Sequence, residues 1–126
     1  RRSEKSFIAG AFCAMLAWEL YVELFATRAA LDYIQLYHVD KIFHIIGGAF
    51  VVAVVFLFFG EPRLVRAVAV ILAVSLVWEI GEVYFDQSVI YFFHKDKSLW
   101  LSDALGDTLF AVIGALMYYY TARAES

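Results

Sequence analysis

The stretch at positions 64–84, LVRAVAVILAVSLVWEIGEVY, decides the fold class. Its apolar residues are interrupted near the end by two glutamates, Glu79 and Glu82. Apolar runs of about 17–25 residues are long enough to cross a lipid bilayer as an α-helix. An acidic residue inside such a run is costly in the membrane and marks a functional site by default. The stretch therefore predicts a transmembrane helix that carries a pair of functional acids.

Three further stretches have the same apolar character. Together with Leu64–Tyr84, they predict membrane helices at Ser6–Ala26, Ile42–Phe59 and Leu99–Thr121. The chain has 126 residues, of which 63% are hydrophobic, and a mean hydropathy of +0.74. Soluble domains have only about 45–50% apolar residues. We expect a single integral membrane domain over residues 1–126, an all-α, polytopic four-helix bundle.

The connections between these helices are of two kinds. Gly60, Glu61 and Pro62 form a predicted tight turn, whereas Thr27–Val39 and Asp86–Ser98 are longer and too apolar for free loops. The two longer connections are predicted to be interfacial segments at the membrane edge. The net charge of −3 gives no basic face for nucleic acid, and a lone cysteine excludes a disulfide framework.

The basic residues predict an orientation, since they are enriched in cytoplasmic loops. The side that holds both termini carries six of them, and the other side carries four. The first six are Arg1, Arg2, Lys5, Arg63, Arg66 and Arg123, and the others are Arg28, Lys41, Lys95 and Lys97. We therefore expect both termini in the cytoplasm and the two longer connections outside.

Acidic residues recur at helical spacing near the outer end of every predicted helix. They are Glu19 and Glu23; Asp40, with His44 one turn later; Glu79, Glu82 and Asp86; and Asp103 and Asp107. Residues three or four apart share a helix face, so each group can point inward together. Glu19 precedes Ala26 by seven residues, a depth of about 10 Å. The predicted helices place no Lys or Arg deep enough to neutralise these acids.

Acids packed at one depth need bound protons or bound cations, because like charges repel strongly at low dielectric constant. We predict that the deepest set converges in one pocket as metal ligands: Glu19, His44, Glu79, Glu82 and Asp107. Glu23, Asp40, Asp86 and Asp103 are predicted as supporting residues or additional ligands, with Asp40 orienting His44. Oxygen ligands suit Mg, Ca or Mn, and an added imidazole also suits Zn or Fe, so the divalent ion stays open.

Structural roles remain as alternatives for the outermost of these residues. Asp40 can cap the second predicted helix, which then extends back through it, and Asp103 can stabilise the first turn of the last helix. Glu23 and Asp86 are close enough to a helix end to reach water.

Three motifs resemble those of VanZ-like small inner-membrane proteins. They are DKIFHIIGGAF at Asp40–Phe50, WEIGEVYFD at Trp78–Asp86 and DALGDTLFAVIGAL at Asp103–Leu116. The resemblance is closest to an uncharacterised bacterial branch with DKxxH, WExxE and DxxxD helices, and it implies a bacterial inner membrane. Glu82 stands where a Gln-like residue is expected and Asp107 where Asn is common, so antibiotic tolerance is not carried over.

Three functions are compatible with these features. The first is an outward-facing metal site for hydrolysis or binding of a lipid or phosphate headgroup. The second is an accessory role in a larger membrane complex, and the third is cation or proton transport. Whether the chain is an enzyme stays open. Membrane lipids are the expected partners, with a homo-oligomer or a larger complex as the alternative assemblies.

Overall fold

The computed structural model describes residues 2–85 and 97–125, and almost all of them are helical. Helix α1 covers Arg2–Leu20 and continues into a π-helical turn at Tyr21–Phe25. The other helices are α2 at Arg28–Tyr37, α3 at Asp40–Phe59, α4 at Leu64–Phe85 and α5 at Lys97–Ala124. Within the described residues there is no strand, so the predicted all-α class is confirmed.

Four helical segments are long and apolar enough to cross a membrane, as predicted. They are Glu4–Phe25, Asp40–Phe59, Leu64–Phe85 and Ser98–Ala124. The protein is therefore an integral membrane four-helix bundle. Helix α3 begins at Asp40, in agreement with the predicted extension of the Ile42–Phe59 run back through that residue. Asp40 and Lys41 are in its first turn, so Lys41 belongs to a membrane helix.

The first long connection is the amphipathic helix α2. The Thr27 hydroxyl accepts a hydrogen bond from the Ala30 amide at 3.2 Å and caps the start of the helix. Leu31 is buried whereas Asp32 is exposed. His38 ends the helix in the left-handed conformation, with φ of 52°. A short two-faced helix agrees with the predicted interfacial segment. The second predicted segment lies mostly at positions 86–96, outside the described residues.

The closest helix pair is α3 with α5, and glycines make the approach possible. A methyl group at Gly48 would collide with the backbone carbonyl of Ala111, and one at Gly114 would collide with that of Ile45. Small residues permit this kind of backbone contact between membrane helices. Helix α1 packs on α3, and α4 packs mainly on α5. The α3–α5 pair is thus the centre of the bundle.

The end of the bundle that holds the chain termini is closed by aromatic and polar contacts. Phe7 near the start of α1 packs on Tyr118 near the end of α5, with ring centroids 5.2 Å apart. The Tyr119 hydroxyl donates to the Pro62 carbonyl at 3.2 Å, in the turn between α3 and α4. Gly60 enters that turn with φ of 76°, which favours glycine. Both described chain ends therefore lie at the same end as this turn.

Candidate metal centre

Asp107 is the centre of the acidic cluster at the opposite end of the bundle. It lies on α5 and only 1% of its surface is exposed. Two sets of three side chains have ligand atoms within 4.8 Å of one another: Asp40, His44 and Asp107, and Glu79, Glu82 and Asp107. Asp107 belongs to both sets. Side chains from α3, α4 and α5 therefore form two adjacent groups, each of which could hold a metal ion.

A lysine lies inside this cluster, which corrects the expectation that no basic residue is deep enough to neutralise the acids. Lys41 is 8% exposed, and its Nζ donates to Asp107 Oδ1 and to Asp103 Oδ1, the latter at 2.7 Å. Asp40 Oδ2 is 3.8 Å from the same nitrogen. The prediction failed because it counted Lys41 with the basic residues at the outer membrane surface, whereas Lys41 lies buried in the first turn of α3.

Part of the signal for Lys41 was present in the sequence. Lys41 precedes His44 by three residues and Gly48 by seven, so all three share one face of α3. Gly48 is the point of closest approach to α5, and that face therefore meets Asp103 and Asp107. Gly106 lies beside the Lys41 side chain, since a methyl group there would be in van der Waals contact with Lys41 Cε at 3.7 Å.

His44 faces the other oxygen of Asp107. Its Nε2 is 3.3 Å from Asp107 Oδ2, and its side chain is 15% exposed. Asp40 and His44 lie on the same face one turn apart, and both belong to the first ligand set. Asp40 is not the capping residue of α3; Val39 holds that position, and no side chain caps the helix. The capping alternative for Asp40 is therefore wrong.

The second set is formed chiefly by α4. Glu79 is buried, with 5% exposure, and Glu82 is half-buried one turn later. Trp78 Nε1 donates to Glu82 Oε1 at 2.7 Å, a contact between residues four apart on the same helix. This hydrogen bond restricts the orientation of the Glu82 carboxylate. The i, i+4 spacing of Trp78 and Glu82 was a signal for this bond that the sequence reasoning did not use.

The remaining predicted residues are distributed around these two sets. Asp103 contacts Lys41, and Asp86 lies outside the described residues. Glu19 and Glu23 belong to neither set; they line a groove between α1, its π-helical turn and α4. Glu82 lines the same groove, so it lies between the α1 acids and the centre of the cluster.

Charge is unevenly matched in the described part of the cluster. Five carboxylates belong to the two sets or contact Lys41 directly, namely Asp40, Glu79, Glu82, Asp103 and Asp107. The ammonium of Lys41 neutralises one negative charge. Lys41 pairs with Asp103 and Asp107, whereas Glu79 and Glu82 lie beside each other and Asp107. The cluster therefore still requires protons or a further cation at its α4 side.

Comparisons of the chain with protein-family models, with curated proteins and with solved structures return no significant match.

Proposed function

We propose that this membrane protein binds a divalent cation at Glu79, Glu82 and Asp107, and that the cation recruits the phosphate of a lipid headgroup. His44 and Asp40 complete the donor set on the α3 side. Four carboxylates and one imidazole are a donor set that suits Mn or Mg and also Zn or Fe.

The observation that carries this proposal is the sharing of Asp107 between both ligand sets. One of its oxygens accepts from Lys41, and the other faces His44. A buried carboxylate held from two sides is oriented before any ion arrives. Such orientation of a ligand by neighbouring groups typically changes metal affinity by about 10- to 100-fold.

Lys41 has a defined role in this proposal. Its ammonium competes with an incoming cation for Asp107, and it stabilises the site when no ion is bound. A cation bound on the α4 side would add a second positive charge to the one that Lys41 supplies on the α3 side. The two positive charges together would balance more of the five carboxylates than either does alone.

When bound, the metal would act as a Lewis acid that polarises a phosphoryl oxygen of the headgroup. The chain's own residues hold and orient the site: Trp78 fixes Glu82, and Asp40 lies beside His44. Hydrolysis of the headgroup and simple binding are both compatible with these roles, and the enzyme assignment stays open between them.

The packing of the other half of the bundle favours a one-sided site over transport. Buried residues there are mostly apolar, including Val52, Phe56, Ile71 and Ala115. Tyr119 closes that core against Pro62. Among the described residues, no chain of buried charged groups leads from Glu79 through this core. An accessory subunit remains the second candidate, because Glu19 and Glu23 belong to neither ligand set.

The experiment that tests the metal site is elemental analysis combined with thermal melting, with and without chelator. Purified wild-type protein should contain stoichiometric divalent metal, and the chelator should lower its melting temperature, because an ion that binds only the folded state stabilises it. Glu79→Gln combined with Glu82→Gln should lose the chelator response. Asp32→Asn with Glu125→Gln removes two exposed acids and is the matched control, which should keep the response.

A separate experiment tests whether the bound cation recruits a phosphate headgroup. Nanodiscs containing phosphatidic acid should raise the affinity for Mn²⁺ relative to nanodiscs of phosphatidylcholine alone, and only in variants that bind the ion. Absence of metal, no chelator effect and unaltered function in the double variant would together refute the metal site and favour the accessory role.

Family and location belong to this proposal as well. The Asp40–Phe50, Trp78–Asp86 and Asp103–Leu116 motifs remain the basis for proposing a VanZ-like protein of a bacterial inner membrane. The count of basic residues is the basis for placing both termini in the cytoplasm. In that orientation the metal site faces the outer side.

A further inference from the structure

A groove between α1 and α4 has a volume of about 670 Å³. Its floor on α4 runs from Ala73 through Val77 to Phe85 and is almost entirely apolar. Three carboxylates also line the groove: Glu19 from α1, Glu23 from the π-helical turn and Glu82 from α4. Among the described residues that line the groove, none is basic. The groove is thus apolar along its length and acidic where α1 and its π-helical turn face α4.

The groove continues toward the middle of the bundle. A second cavity of about 260 Å³ shares Glu19, Val74 and Trp78 with it. Ser75 lines this inner cavity together with Trp18 and Phe43. An elongated apolar guest could therefore extend past the acids into the bundle.

The groove has the length of a single hydrocarbon chain of a membrane amphiphile. The α4 lining from Ala73 to Phe85 is about 18 Å long at 1.5 Å per residue. Cavities of about 300–1,000 Å³ that are mostly apolar and have a few polar groups are typical of small-molecule sites.

The three carboxylates of the groove determine which charge the headgroup of a bound amphiphile can carry. An anionic headgroup beside three carboxylates would be repelled at low dielectric constant, whereas an ammonium would be attracted. An ammonium carries three N–H donors and can bond more than one carboxylate. We infer that this groove binds a membrane amphiphile with one alkyl chain and a cationic amine headgroup, the amine lying among Glu19, Glu23 and Glu82. The binding does not depend on a metal.

The position of the bound alkyl chain can be tested by substitution of a glycine that lines the groove. Gly81 lines the groove, and a methyl group at this position would meet nothing within 4 Å. Gly81→Leu therefore fills the groove without pushing on the backbone. Gly10 on α1 has equally open space and does not line the groove, so Gly10→Leu is the matched control. Val77→Trp narrows the same groove from an exposed position and serves as an independent blocking variant.

The probe is dodecylamine with a photoreactive diazirine at the end of its chain. The protein is embedded in phosphatidylcholine nanodiscs with chelator present, and cross-linked residues are mapped by mass spectrometry. We expect labelling at the α1 and α4 lining of the groove. Gly81→Leu and Val77→Trp should each lower it about tenfold, and Gly10→Leu should leave it unchanged.

Headgroup selectivity is measured by competition. Unlabelled dodecylamine should compete at least about tenfold better than dodecanol or dodecanoate, and Glu19→Gln should remove most of that advantage, since a bond to a charged group is lost. Equal competition by dodecanol, or equal labelling of the Gly81→Leu and Val77→Trp variants, overturns the inference. The inference is also overturned if the groove is not labelled because a helix of another protein occupies it. Glu19 lies outside both ligand sets, so these outcomes are separate from those of the metal experiment.

Discussion

The ammonium of Lys41 donates to the carboxylate of Asp107, and this contact joins the first turn of α3 to the interior of α5. Both residues are almost completely buried. Removing one partner of a buried ion pair leaves the other charge uncompensated, which typically costs about 3–5 kcal/mol. The pair therefore couples the stability of the α3–α5 contact to the electrostatics of the acidic cluster.

Lys41→Met is expected to destabilise the fold in metal-free detergent solution and to increase the protection given by divalent cations. The substitution leaves Asp103 and Asp107 without their ammonium, so an added cation replaces a missing charge. Thermal melting over a Mn²⁺ titration measures both effects. Lys5→Met removes an exposed lysine of α1 and should change neither. Wild-type melting behaviour of Lys41→Met in metal-free solution would contradict the proposed role of the pair.

The sequence was sufficient for the helices and insufficient for the centre of the site. Long apolar runs determine membrane helices almost by themselves, because the backbone must satisfy its own hydrogen bonds in lipid. The polar residues Asp40 and Lys41 at the start of α3 do not indicate by themselves which way their side chains face. Only the close approach at Gly48 shows that Lys41 points at α5 and not toward the membrane surface.

The placement of Glu19 illustrates a second limit of sequence reasoning. Common depth predicts which residues lie at one level, but it does not predict which helices are neighbours. Helix α1 packs on α3, and a groove separates it from α4. Glu19 therefore lines a cavity beside Glu82, while Glu79, Glu82 and Asp107 form a ligand set without it.

Both described chain ends should be accessible from the same side of the membrane, and α2 from the other. In a Cys13→Ala background, Lys5→Cys and Glu125→Cys place single thiols at exposed positions near the two ends. Asp32→Cys is the matched position on α2. A membrane-impermeant maleimide added to intact cells should label only Asp32→Cys if the termini are cytoplasmic. Labelling of just one of the two terminal positions is incompatible with four membrane crossings.

Gly48→Ala and Gly114→Ala should each disrupt the bundle. The added methyl group would collide with a backbone carbonyl of the facing helix, so α3 and α5 must separate, and the loss should exceed the roughly 1–3 kcal/mol of ordinary overpacking. Gly10→Ala is the control, because it has open space and gains up to about 1 kcal/mol of helix propensity. Size-exclusion profiles and melting temperatures distinguish the two outcomes. Equal stability of all three variants would show that the helices tolerate a wider separation.

Trp78→Phe should weaken metal binding without unfolding the protein. The indole N–H donates to Glu82 Oε1 at 2.7 Å, and phenylalanine keeps an aromatic ring there while it removes the donor. Loss of a group that orients a ligand typically lowers metal affinity about 10- to 100-fold. Trp18→Phe is the control, since Trp18 stacks on Phe43 with ring centroids 4.4 Å apart and that contact tolerates another aromatic ring. Calorimetric Mn²⁺ titration of both variants should separate them. Equal affinities would mean that Glu82 is oriented by other contacts or is not a ligand, and the Glu79→Gln and Glu82→Gln single variants then decide between these two explanations.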